Sequence, residues 1–468
     1  MSRPALRSIA RASATALLFV VAAACSSITL AAAPAAQERG GLSREERRVT
    51  AAIDAREPAA RSLLTSVVDT NSGSNNLEGV RAVADLFRRE FDLLGFKTEW
   101  IDGAAWGRAG HLVARRAGPA GAPRILLIGH LDTVFPKDSP FQKLASIPGT
   151  EEAKGPGLVD MKGGDVVMLL ALGGLKDAGR LDRVALTAVL IGDEEDSGRP
   201  LEAARRDLVE AARWADVAIG FEDGDGDPHT AVVARRGSGS WVLNVTGHPA
   251  HSSQLWSDAV GSGAINEAAR ILTGFETALK GKEDLLTANP GAIVGGTTVT
   301  WDDDASRGTV FGKTNVVAGT ATVSGDLRCI TLDQRERARS LMRDVVAAHL
   351  PGTTATIEFD DGYPPLAPSA GNDRMLALYD QASRDLGLGE VIAVNPRNAG
   401  AADVSFTEGL VEMALDGVGL RGRNGHTPDE TGDLRSLRTQ AQRAAILLAR
   451  LPAERSKAAP VAPAPAKP

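Results

Sequence analysis

The chain has 468 residues and a formal net charge of −7, more length than one typical domain uses, so two domains are expected. A hydrophobic content of 43% and a charged content of 24% describe a soluble globular protein, and the negative charge without a basic stripe argues against nucleic acid as a partner. The only cysteines are Cys25 and Cys329, too few for an internal disulfide framework.

Residues 1–36 read as a leader that directs export. Arg3, Arg7 and Arg11 give a positive start, Ala14 to Ala24 is apolar, and small residues run from Ala31 to Ala36. Two processing modes compete. Ala22-Ala23-Ala24-Cys25 is a loose lipobox that would leave Cys25 lipid-modified, although the usual Leu three residues before the Cys is missing. An Ala-x-Ala cut within Ala31-Ala32-Ala33 would instead remove Cys25. The apolar run is shorter than the ~20 residues a membrane span needs. The expected location is therefore periplasmic, or lipid-anchored to the membrane at Cys25.

After a polar linker, Ser43-Arg44-Glu45-Glu46 has the pattern of a helix cap. Val80, Val83, Phe87 and Phe91 at helical spacing predict a helix over 75–94, followed by short strands over 97–101 and 111–115. Arg124 to Gly129 is a β-rich apolar run that stops at His130. Asp132 lies two residues on, on the same side of an extended chain. Gly155-Pro156-Gly157 signals a turn, Asp160 follows it, and 164–179 reads as a helix. A buried strand over 183–192 ends in Glu194-Glu195. A helix over 201–214 and a strand over 215–221 then deliver Glu222. This alternation predicts an α/β fold, a mostly parallel sheet flanked by helices, whose first part spans 37–236.

The pattern changes over 237–352. Strands over 239–245, 295–300 and 320–328 and helices over 259–279 and 332–350 form an α+β unit of about 115 residues, inserted into the first domain. Residues 353–452 return to that domain, with a helix over 372–386, a strand over 411–415, His426 in a turn, and a closing helix over 433–449. Residues 453–468 are Pro/Ala-rich and charged and read as a disordered tail.

His130, Asp160, Glu195, Glu222 and His426 form a donor set of imidazoles and carboxylates without thiols, suited to a divalent ion such as zinc. They can hold two ions if one carboxylate gives an oxygen to each. Water on such an ion loses its proton near neutral pH. The chemistry also needs a proton acceptor that is not a ligand. Glu194 can serve, because adjacent side chains diverge.

Taken in order, these segments resemble the M20 family of zinc metallopeptidases, in particular its glutamate carboxypeptidase-like branch. The resemblance runs through His130-x-Asp132, Gly155-Pro156-Gly157 to Gly164, Asp193-Glu194-Glu195, Glu222, Gly247-x-x-x-His251-Ser252, Asn289-Pro290-Gly291, Asn315, Asp326-x-Arg328 and Gly425-His426. It implies two Zn2+, with Co2+ or Mn2+ as substitutes. Asp160 would bridge the ions, His130 and Glu222 would complete one ligand set, and Glu195 and His426 the other. It makes Glu194 the general base and Asp132 the residue that orients His130. It makes the inserted unit a lid and dimerisation domain. His251 would cross a homodimer to stabilise the oxyanion, and Asn315 and Arg328 would hold the substrate. The Asp160–Met161 peptide is expected to be cis.

The chain departs from the branch in three places. Asp360-Asp361-Gly362-Tyr363-Pro364 stands where the branch tends to carry a further basic residue, so glutamate specificity does not carry over. Asn398 to Asp403 replaces a more Gly-rich loop, and 302–308 looks like a small insertion. The expected activity is exported di-zinc hydrolysis of the amide bond of a small peptide or N-acyl amino acid. Two alternatives stand beside it: an N-acyl amino acid deacylase of the acetylornithine or succinyl-diaminopimelate type, and a non-catalytic periplasmic binding protein on the same fold.

Overall fold

The computed structural model describes residues 41–302 and 305–457. Cys25 and both proposed leader cleavage sites lie outside these residues. The central sheet has six strands in the order Lys97–Asp102, Gly110–Arg116, Ala185–Ile191, Arg124–His130, Val217–Gly220 and Met413–Leu415. The first two joins are antiparallel and the other three parallel.

Side-chain alternation sends each strand's residues into two cores. Ile125 and Leu127 face one way, into a cluster shared with the helices Arg44–Val68, Leu77–Leu93, Gly163–Asp177 and Leu434–Lys457. Leu126 and Ile128 face the other way and pack on Leu208, Ala211 and Ala212 of the helix Leu201–Trp214. Both middle strands are therefore buried on two faces, which explains their unbroken apolar runs. The first helix opens with the expected capping box, Ser43 and Glu46 each bonding the other's backbone N–H.

The inserted unit is a four-stranded antiparallel sheet in the order Thr287–Gly296, Thr320–Cys329, Gly237–Thr246 and Thr354–Asp360. The helices Ala264–Leu279 and Leu332–Ala347 pack on it through Ile271, Phe275, Ala338 and Met342, which meet Trp241, Leu243 and Val323. Cys329 is buried in this unit and is a free thiol among the described residues.

The element boundaries differ from the sequence reading in four places. Thr354–Asp360 pairs with Gly237–Thr246, so the unit ends at Asp360 rather than near 352. The helix expected from 259 starts at Ala264, because Gly261 and Gly263 adopt φ of 71° and 74°. Residues 287–296 form an edge strand despite Pro290, since a register shift between Pro290 and Ala292 accommodates the missing donor. The closing helix runs through Lys457 and past Pro452, anchored by buried Leu448 and Leu451, so the helix takes in the first five residues of the expected tail. The insertion near 302–308 joins the strands Thr298–Asp302 and Arg307–Phe311 of a hairpin.

Candidate metal centre and active site

Three of the five candidate ligands end or follow central strands, and the other two come from turns. His130 is the last residue of a central strand. Glu195 follows the strand Ala185–Ile191, and Glu222 follows Val217–Gly220. Asp160 lies in a short irregular turn before the helix Gly163–Asp177, with φ −119° and ψ 97°, and the Asp160–Met161 peptide is cis as expected. Glu430 braces that turn: its carboxylate accepts from the backbone N–H of Gly157 (3.0 Å), Val159 (2.7 Å) and Asp160 (3.3 Å). His426 comes from a turn and has φ 64°. Ligands at the carboxyl ends of parallel strands are the usual placement in open α/β sheets.

These residues form two groups that share Asp160. His130 Nε2 lies 2.9 Å from Asp160 Oδ1 and 3.6 Å from Glu222 Oε1. His426 Nε2 lies 2.9 Å from Asp160 Oδ2 and 3.0 Å from Glu195 Oε2. In each group, the three donor atoms lie within 4.8 Å of one another. The five residues named from the sequence are thus brought together, with one Asp160 oxygen turned to each group.

The electrostatics show a site short of positive charge. Burial pushes the Glu222 and Glu194 carboxyls well above the usual range, and neighbouring Asp160 adds to this at both. Glu195 is also raised by burial, against a hydrogen bond to His426. Burial would raise Asp160 too, but hydrogen bonds to His130 and His426 hold it low. His426 is pushed up to about 11 by hydrogen bonds to Asp160 and Glu195. Among the described residues, Glu195 Oε1 is buried without a hydrogen-bond partner, a lack that a cation would satisfy. Three carboxylates and two imidazoles gathered this closely fit two divalent cations, and the donor types suit zinc.

Glu194 and Glu195 diverge as their adjacency demands. Glu195 reaches His426, whereas the Glu194 carboxylate accepts no hydrogen bond among the described residues and belongs to neither ligand group. Asp132 holds both from below: Oδ1 accepts from Glu194 N (3.0 Å), Oδ2 from Glu195 N (3.1 Å) and from the Ser74 hydroxyl (2.6 Å). The His130 ring meets the Asp132 backbone carbonyl at 3.1 Å and its carboxylate only at 3.5 Å. Asp132 therefore braces the Glu194–Glu195 turn at least as much as the His130 ring.

His251, Asn315 and Arg328 lie on the inserted unit and, among the described residues, make no contact with the ligands. His251 Nδ1 lies 2.9 Å from the Ser253 hydroxyl, and Asn315 O accepts from Ser252 N at 2.9 Å, so these two are neighbours. Arg328 pairs with Asp326 at 2.9 Å. Both His248 and His251 are exposed. Three supporting residues escaped sequence reasoning. Ser74 and Glu430 lie in loops with no motif of their own. Asp416 is buried between the N–H of Glu222 (3.3 Å) and Arg235 (2.8 Å). Beside Glu195 opens a cleft of about 680 Å3, lined in part by Asn75, Asn76, Lys137 and Asp196, a volume usual for small-molecule sites.

A carboxylate shared between two ligand groups, beside a glutamate that belongs to neither, defines a metal-dependent hydrolase of the two-ion class. The sequence matches the profile of Peptidase family M20/M25/M40 over residues 126–450, and the chain belongs to that family of metallopeptidases. It is similar to carboxypeptidase G2 of Pseudomonas sp. (strain RS-16), with 25% identity over 79% of this chain and 84% of the relative. Its fold is similar to that of aminopeptidase PepT from Bacillus cereus ATCC 10987, with a TM-score of 0.68, 18% identity, and coverage of 84% of this chain and 98% of that one. It is also similar to the Bacillus subtilis YXEP protein, described as a dinuclear metal binding peptidase, with a TM-score of 0.58, 15% identity, and coverage of 86% and 99%.

Proposed function

We propose that this metallopeptidase is exported and hydrolyses the amide bond of a small peptide or an N-acyl amino acid that carries a free carboxylate. The observation that carries the proposal is Glu194, held beside two ligand groups without joining either. A pure binding site has no use for such a residue. The likeness to carboxypeptidase G2 supports a C-terminal carboxylate on the substrate, and the leader supports export.

His130, Asp160 and Glu222 would hold one ion, and Asp160, Glu195 and His426 the other. The pair, most simply zinc, would supply Lewis acidity at the scissile carbonyl and acidify the attacking water. Glu194 takes the proton of that water at its carboxylate and hands it to the departing amine nitrogen. Burial already raises the Glu194 carboxyl, which suits a group that must both accept and return a proton. Arg328 and Asn315 bind the substrate's carboxylate end, and His251 donates to the developing oxyanion.

His251 is exposed and makes no contact with the ligands of its own chain among the described residues. This supports a homodimer in which His251 serves the partner's site. Zinc-loaded wild-type protein should turn over a panel of dipeptides and N-acyl amino acids. Tight metal binding with no turnover of any amide would move the reading to a binding protein.

A further inference from the structure

Glu194 has no side-chain partner among the described residues, so its backbone must set its position. Its N–H is fixed by Asp132 Oδ1 at 3.0 Å. Its carbonyl is fixed from the opposite side by the Tyr363 hydroxyl, which donates to it at 3.1 Å. A phenol has one proton to give; its oxygen accepts from Arg205 Nη2 at 2.6 Å, and the Ser197 hydroxyl lies farther off at 3.4 Å, which leaves the Glu194 carbonyl as the nearer acceptor. Arg205 is itself immobilised. It is 1% exposed, and its guanidinium also donates to Asp193 Oδ1 (2.9 Å), Ser197 Oγ (2.9 Å) and Asp403 Oδ1 (2.7 Å). The Tyr363 ring packs edge-on against Phe406 at 5.1 Å.

Tyr363 also stands at the join between the two sheets. The two chain crossings run side by side there: Arg235 and Leu366 exchange both backbone hydrogen bonds at 3.0 Å, and Ser238 N donates to Tyr363 O at 2.9 Å. Ser238 already belongs to the first strand of the inserted unit, and Tyr363 follows its last strand by three residues. One residue thus bonds to the inserted unit through its carbonyl and to the Glu194 turn through its hydroxyl. It falls within Asp360 to Pro364, the stretch that departs from the carboxypeptidase branch.

We propose that Tyr363 is a positioning residue for Glu194: its hydroxyl, braced by Arg205, sets where the base stands and ties that position to the join of the inserted unit. The proposal rests on the reading of Glu194 as the base. Removing the hydroxyl frees the Glu194 carbonyl to rotate, and small misplacements of a reacting group cost rate rather than binding.

The test is Tyr363→Phe in the full-length zinc-loaded protein, with Glu194→Ala alongside. The Phe ring keeps the contact with Phe406, so the variant should fold, and a melting curve and a bound-zinc count check this. The expected result is a fall in kcat of roughly tenfold or more, with KM changed less than about twofold and zinc content unchanged. An unchanged kcat would overturn the proposal. So would a rise in KM alone, which would make Tyr363 a substrate contact, or a loss of rate matched by a loss of zinc or folded protein. If Glu194→Ala is inactive while Tyr363→Phe is fully active, the positioning role fails and the base survives. If Glu194→Ala stays active, the base reading itself fails.

Discussion

Asp160 is the residue on which both halves of the site depend, because its two oxygens face His130 and His426 separately. Asp160→Asn should therefore lose both ions together, as read by metal analysis after dialysis; retention of one ion would contradict a bridging role. The same contacts set a pH dependence. His426 is raised to about 11 by Asp160 and Glu195. Burial lowers His130, but hydrogen bonds to Asp132 and Asp160 raise it well above its ordinary value. The protonated form is thus favoured at both rings in the metal-free protein, and each must release that proton to bind an ion. Metal affinity should fall as the pH drops, with protons released on binding. Calorimetry in buffers of different ionisation enthalpy measures that release, and none would contradict the ligand assignment. His130, Glu195 and Glu222 were legible as residue types following apolar runs, and Asp160 and His426 as residues of Gly-containing turns. Ser74 and Glu430 were not, because a residue that braces a ligand through backbone N–H groups needs no particular neighbours in the sequence.

At the scale of elements, the site depends on how strand ends are held. Asp416 follows the strand Met413–Leu415 and, fully buried, ties the Glu222 amide to Arg235. Asp416→Ala strands a buried guanidinium and should cost about 3–5 kcal/mol in urea unfolding; a loss near zero would mean that the pair does not hold the sheet edge. Gly164 is the second residue of the helix after Asp160, and a Cβ there would lie 1.9 Å from Phe221 O. Gly164→Ala should cost about 1–3 kcal/mol and weaken metal binding, because Phe221 precedes Glu222. A melting curve and a metal titration check both parts. The central strands were readable because burial on both faces leaves an unbroken apolar run. The edge strand Thr287–Gly296 and the strand Thr354–Asp360 were not. The first contains Asn-Pro-Gly, a turn signal overridden by a bulge. The second exposes every other residue, so no apolar run marks it.

At the scale of the whole molecule, the family profile covers most of the chain, the inserted unit included. If His251 serves a partner's site, His251→Ala and Glu194→Ala should each be inactive, and co-refolding them should restore part of the activity. In a mixed dimer, one site has its own Glu194 and receives an intact His251. Light scattering should report a dimer; a fully active monomer would sink this arrangement. That two ligand groups bind metal while Glu194 alone moves the proton can be tested more directly. The measurement is hydrolysis of a panel of N-acyl amino acids and dipeptides by zinc-loaded wild-type and Glu194→Ala protein, with bound zinc counted in both. The expected result is equal zinc and a rate lower by roughly 10²–10⁴-fold in the variant. Loss of zinc from Glu194→Ala, or turnover by it at the wild-type rate, would contradict it.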